Sequence, residues 1–140
     1  MAQHGAGKVV AAIEHRAGAA PDSGGADVPA GQRPPGHPLS IGEVAKTMGF
    51  RRLLYTELDP AGGTRILNPG MLERLARSSG LRVTVSGGVI SLEDLRAVEA
   101  LGSAGVDSVI LRRAIYENKF SCQAIWRLAE TGGYPFTAKV

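Results

Sequence analysis

Arg82-Val83-Thr84-Val85-Ser86-Gly87-Gly88-Val89-Ile90-Ser91-Leu92-Glu93-Asp94 holds the unit from which the fold is read. The alternating β-branched run over Arg82–Ser86 predicts a strand, and Gly87-Gly88 breaks it. Ser91 followed three residues later by Asp94 resembles a capping box. It opens a helix whose apolar side is Leu95, Val98 and Leu101. Strand, glycine turn and capped helix make one βα unit.

Working outward, the same alternation repeats. After Gly105 a strand is expected at Asp107–Leu111, then a helix at Ser121–Thr131 burying Ile125, Trp126 and Leu128, then a frayed tail from Gly132. Upstream, Met71, Leu72 and Leu75 form the apolar face of a helix over Pro69–Ser78, which Gly80 stops. Before it come a turn-rich loop, Asp59–Thr64, and a strand at Arg51–Glu57 around Leu53-Leu54-Tyr55. A short helix is expected over Ile41–Met48, ending at Gly49, and a first strand at Lys8–Ile13, closed by Glu14-His15-Arg16. Between these two, Ala17–Pro38 holds five Gly, five Pro and five Ala, with Val28 the one large aliphatic. Such a stretch buries too little apolar surface to offset its ordering entropy and reads as a flexible loop. Four βα units in series predict an α/β fold with parallel strands and crossover helices. Residues 1–140 then form one domain, with the 17–38 loop inside it.

Composition narrows the class. The chain is 44% hydrophobic and 21% charged, as in ordinary globular domains, but only 5% aromatic, so the core rests on aliphatic side chains. Cys122 is alone, which excludes an internal disulfide. No apolar run approaches the roughly 20 residues of a membrane span, and the first residues lack the apolar stretch of a secretion signal. A cytoplasmic location is the expectation. A net charge of +3 suits a small anionic ligand, not the clustered basic surface of a nucleic-acid binder.

In parallel α/β folds ligands bind beyond the carboxyl ends of the strands. That rule selects the candidate residues. Ser86, Gly87 and Gly88 let a backbone approach a phosphate beside a helix start, or they make a plain tight turn. Arg112 and Arg113 offer guanidinium groups to the same anion, or form a solvated basic pair. Thr56 and Glu57 end one strand, with one of the two facing the strand-end pocket. Glu14 ends the first strand as a candidate general acid or base, or as a solvated carboxylate. His4, His15, His37 and Cys122 show no metal-ligand spacing, so no metal site is expected.

Several stretches resemble one family. They are Leu54-Tyr55-Thr56-Glu57-Leu58, Gly62-Gly63-Thr64 with Asn68, Val85-Ser86-Gly87-Gly88-Val89, and Ala114-Ile115-Tyr116-Glu117-Asn118-Lys119-Phe120. Together they look like the carboxyl half of the phosphoribosylformimino-5-aminoimidazole carboxamide ribotide isomerases of histidine biosynthesis. The related cyclase subunit of imidazole glycerol phosphate synthase shares the Ser-Gly-Gly turn but not the Tyr-Thr-Glu or Ile-Tyr-Glu-Asn-Lys-Phe features.

The resemblance implies a TIM (β/α)8 barrel, of which this chain would be four βα units, a half-barrel. It implies a cofactor-free Amadori rearrangement of a bis-phosphorylated ribotide, from aminoaldose to aminoketose. On that mapping Glu14 stands where the family has its general-acid aspartate, and Thr56 where a threonine contacts substrate. Ser86, Gly87 and Gly88, with Arg112 and Arg113 after the last strand, belong to one phosphate site. Departures accompany the match. Glu14 replaces an aspartate, Arg112 replaces a glycine, and Asp59-Pro60-Ala61-Gly62 replaces a pattern ending Arg-Asp-Gly. The family's second aspartate, a base, and its other phosphate site belong to βα units that this sequence does not contain. Four strands cannot close an eight-stranded barrel, so the expected partner is a second copy of the chain or a separate amino-terminal half-barrel.

Overall fold

The computed structural model describes residues 5, 7–16, 33, 36–61, 64–117, 119 and 120. Five strands form one sheet: β1 (Ala11–Arg16), β2 (Arg52–Leu58), β3 (Arg65–Ile66), β4 (Arg82–Ser86) and β5 (Val106–Ile110). The helices are α1 (Pro38–Thr47), α2 (Pro69–Ser79), α3 (Leu92–Glu99) and the single turn α4 (Arg113–Tyr116). The spatial order is β1-β2-β4-β5, all parallel, with β3 antiparallel to β2 at its end. The expected alternation of parallel strands and helices is therefore present.

Side-chain alternation divides the sheet into two unlike faces. Ile13, Leu53, Tyr55, Val83 and Val85 point toward the helices and are at most 3% exposed. Against them α2 sets Met71, Leu72, Leu75 and Ala76, and α3 sets Leu95 and Val98. Gly42 brings α1 close to α2, for a Cβ there would stand 2.8 Å from Leu75 Cδ1. On the opposite face Ala12 and Glu14 are exposed, Leu54 is half-buried and Ile110 is 39% exposed. On the same face Thr56, Thr84 and Ser86 are buried, so among the described residues it is exposed at β1 and at the end of β5.

The helix ends follow from local chemistry. Asn68 caps α2 through Met71 N–H, Pro69 stands at its first position, and Gly80 closes it at φ +64°. The Ser91–Asp94 capping box of α3 is present in both directions. Two elements start three residues from the sequence expectation, while β2, α2 and β5 differ from it by one residue at most at either end. β1 lies at Ala11–Arg16 instead of Lys8–Ile13, because Glu14 and Arg16 fall on the open face while His15 turns inward. The charged triplet thus continues the strand. α1 begins at Pro38 because His37 Nδ1 accepts from Leu39 N–H as an N-cap. His37 and Pro38 are accordingly the ordered start of a helix, not the end of the Ala17–Pro38 loop. Residues 17–32, 34 and 35 of that loop, and the helix and tail expected from Ser121, lie outside the described residues.

A polar network pins the amino-terminal ends of three strands. Arg52 reaches across β4, donating from Nη1 to Asp107 Oδ1 (2.5 Å), Thr84 Oγ1 (2.9 Å) and Ser108 Oγ (3.1 Å), and from Nη2 to Asp107 Oδ2 (2.9 Å). Arg82 adds a bond to Asp107 Oδ2 at 3.1 Å. Asp107 sits at the register shift between β4 and β5, where one extra residue frees its side chain for this role. Partial burial opposes its charge, but the bonds from Arg52 and Ser108 and the guanidinium charge outweigh it and hold the carboxyl below its usual range. The Asp107 hydrogen bond in turn raises Arg52, against the effect of burial.

The folded pKa of Asp107 lies below the unfolded one. Its contribution is therefore complete above about pH 4 and fades as pH falls through the depressed folded value. Both side chains remain partly exposed (29% and 28%), so Asp107→Asn should cost only about 1 kcal/mol at pH 7. Urea unfolding of the two proteins should differ by a constant amount from neutrality to about pH 5. The difference should shrink below about pH 4.

Candidate active site

All four parallel strands deliver their carboxyl ends to one rim. Glu14 and Thr56 are register partners on the open face, one strand spacing apart, about 4.8 Å. Thr56 is buried; Glu14 is exposed and has no hydrogen-bond or ion-pair partner among the described residues. Glu57, next in the chain, faces the helices. It accepts from Tyr55 OH and from Asn68 Nδ2, each at 3.1 Å. This buried carboxylate fixes Asn68, and through it the start of α2. His15, the register partner of Glu57, is also turned to the helix side, and its Nδ1 finds no hydrogen-bond partner among the described residues. Of these four side chains, the structure therefore sets Glu14 and Thr56 on the open face and removes Glu57 and His15 from it.

The second part of the rim is a cleft of about 430 Å³ between β4 and β5. Gly87 and Gly88 form its floor with φ of +92° and +78°. Both conformations disfavour any side chain. Glycine is required for a second reason, because β3 folds back over the turn. A Cβ on Gly87 would overlap the Arg65 stem, and one on Gly88 would overlap the Ile66–Leu67 peptide. The Gly88 and Val89 N–H groups have no acceptor among the described residues. Arg65, Arg112 and Arg113 wall the cleft. Arg113 is paired with Glu117 at 3.0 Å. Arg112 is exposed just after β5. Ser86 is 4% exposed at the end of β4, immediately before the turn.

Sequence reading thus brought Gly87, Gly88, Arg112 and Arg113 to one cleft, and Glu14 and Thr56 to one face, with Thr56 on the strand next to β4 and Glu14 one strand further, roughly 10 Å from β4 across the sheet. It missed Arg65 and β3. A two-residue strand has no periodicity to read, and Arg65 reaches the cleft only through antiparallel pairing with Leu58. The Asn68 cap was visible as Asn followed by Pro, a common helix opening. Among the described residues no group of three or more His, Cys, Asp or Glu stands close enough to share a metal ion. None of the described helices is long and apolar enough to cross a membrane.

A model of the histidine biosynthesis proteins matches residues 1–121. The chain belongs to the histidine biosynthesis protein family. The family fold is a TIM barrel, and the parallel strands and helices described above make part of one.

Similar relatives bear the name 1-(5-phosphoribosyl)-5-((5-phosphoribosylamino)methylideneamino) imidazole-4-carboxamide isomerase. One from Chlorobium phaeobacteroides (strain BS1) is 43% identical over 81 residues, 58% of this chain and 31% of the relative. One from Prosthecochloris aestuarii is 40% identical over 87 residues, 62% of this chain and 33% of the relative. One from Chlorobium luteolum is 41% identical over 94 residues, 67% of this chain and 37% of the relative. The chain spans about a third of the length of the curated relatives it matches.

The double constraint on Gly88 yields a test. Gly88→Ala should destabilise the chain by about 2 kcal/mol or more, since it combines left-handed strain with a backbone overlap. Gly102→Ala, in open space, should change the melting temperature little.

Proposed function

We propose that this chain supplies the carboxyl-terminal portion of a histidine-biosynthesis isomerase. The reaction is the Amadori rearrangement of a bis-phosphorylated ribotide, from aminoaldose to aminoketose. The observation that carries this reading is that Thr56 and Glu14 stand one and two strands from the strand that ends in the diglycine turn, on one face of the sheet. One phosphate of the substrate occupies the cleft, and the reacting end of the sugar reaches the pair.

Glu14 acts as general acid. It gives its proton to the ribose ring oxygen as the nitrogen lone pair expels that oxygen, breaking the C1–O bond and leaving a protonated imine at C1. A base then takes the proton from C2, and the electron pair moves to form the enaminol. The protonated base then gives its proton to C1 as the enol hydroxyl returns one to the Glu14 carboxylate, which yields the ketose and restores both groups without an oxidant. Thr56 positions a substrate hydroxyl beside the carboxylate. The base and the grip on the second phosphate come from complementary βα units, because the described open face holds one such carboxylate and one such cleft. Those units cover the open face and pair the outer edges of β1 and β5. They belong to a separate amino-terminal half-barrel or to a second copy. A cytoplasmic location forms part of this reading.

Glutamate in place of aspartate and Arg112 in place of glycine support a second reading, a phosphate-binding half-barrel without turnover. Mixing the chain with an amino-terminal half-barrel and following conversion of the aminoaldose separates the two. Conversion is expected, and Glu14→Gln should reduce it by at least about 100-fold while leaving phosphate binding intact. Assembly without conversion would establish the second reading. A mutant that kept its rate would remove Glu14 from the acid role. Sedimentation at micromolar concentration should show the chain alone self-associating, as outer strand edges left for complementary βα units favour. A compact monomer with cooperative unfolding would refute the need for a complement.

A further inference from the structure

Charge is unbalanced at the diglycine cleft. Of the three guanidinium groups around it, Arg113 is paired with Glu117, whereas Arg65 and Arg112 have no ion-pair or hydrogen-bond partner among the described residues. The nearby carboxylate of Asp94 is committed elsewhere, accepting from Ile90 N–H and Ser91 N–H at 2.9 Å each. Two unopposed cations thus share one partly enclosed volume. Arg65 is there because of Gly87. The Cβ, Cγ and Cδ of Arg65 occupy the space over Gly87 that any side chain at that position would take. Its aliphatic stem covers the turn, and the residue lines the cleft; a long basic side chain can cover apolar surface with its stem and keep its charged head in the open. Arg112 stands where the strand–turn motif of the resembling isomerases has glycine, so neither cation belongs to the backbone cradle itself.

We propose that Arg65 and Arg112 are side-chain ligands that make this cleft selective for a phosphomonoester dianion. The proposal rests on the reading of the cleft as a phosphate site and goes beyond it in assigning the selectivity to these two residues. A phosphomonoester carries about −1.5 to −2 charges at neutral pH, which matches two guanidinium groups. A phosphodiester or carboxylate carries a single charge and leaves one cation uncompensated. The planar guanidinium fork also matches two phosphate oxygens at once. Backbone N–H groups at Gly88 and Val89 then hold the remaining oxygen.

Methyl phosphate and dimethyl phosphate separate the possibilities, since they differ by one charge on the same phosphoryl group. Binding to the 140-residue chain is followed at pH 8 by amide chemical-shift titration. The unsubstituted chain should bind methyl phosphate at least about 10-fold more tightly than dimethyl phosphate. Arg65→Met, which keeps the stem over Gly87, and Arg112→Gln should each weaken methyl phosphate binding by about 10-fold. The double variant should lose the preference. Arg65→Lys should recover part of the affinity, which a purely structural role for the stem would not require, since Met already supplies it. If the unsubstituted chain binds neither ester, the phosphate reading of the cleft itself falls. If it binds methyl phosphate and the double variant keeps both affinity and preference, only the assignment to Arg65 and Arg112 falls.

Discussion

Parallel pairing forces every main strand of this sheet to end on the same side, and the site depends on that constraint. β1, β2, β4 and β5 are far apart in sequence, yet their register aligns Glu14 with Thr56 and Ser86 with Ile110. No local feature of the chain could assemble these residues. The helices that return the chain to the start of each strand also bury one face of the sheet. The other face is left to carry polar chemistry.

Stability and chemistry are consequently separated along the strands. Arg52, Arg82 and Asp107 tie three strands together at their amino-terminal ends. The aliphatic core lies on the helix side, and the rim with Glu14, Thr56 and the diglycine turn lies at the carboxyl ends. Exceptions on the helix side are polar and serve the rim from behind. Glu57 holds Tyr55 and Asn68, and so sets where α2 begins and where the preceding β3 segment lies.

What the sequence revealed tracks how local each signal is. β4, its diglycine break and the α3 capping box were readable nearly to the residue, because strand alternation, left-handed glycines and a Ser–Asp cap all act within a few residues. β1 was misplaced by three residues, since Glu14, His15 and Arg16 look like a boundary until one face of the sheet is known to be open. The start of α1 was hidden because histidine is not among the usual N-cap residues. Arg65 was invisible as a site residue. Its place over Gly87 depends on antiparallel pairing of two residues and on a turn 22 positions later in the chain. The family resemblance is what suggests roles for Glu14 and Thr56; residue type alone left Glu14 open between acid or base and solvated carboxylate.

The excursion between β2 and β3 is clasped at its neck by Asp59 N–H donating to Thr64 C=O at 2.7 Å. Such a clasp insulates the strands from whatever the intervening loop does, because lengthening a closed loop adds little entropic cost. Descendants of this chain are free to insert or delete residues there while Thr56 on one side and Arg65 on the other keep their positions. The neck therefore marks a place where evolution can reshape access to the rim without disturbing the residues on either side of it.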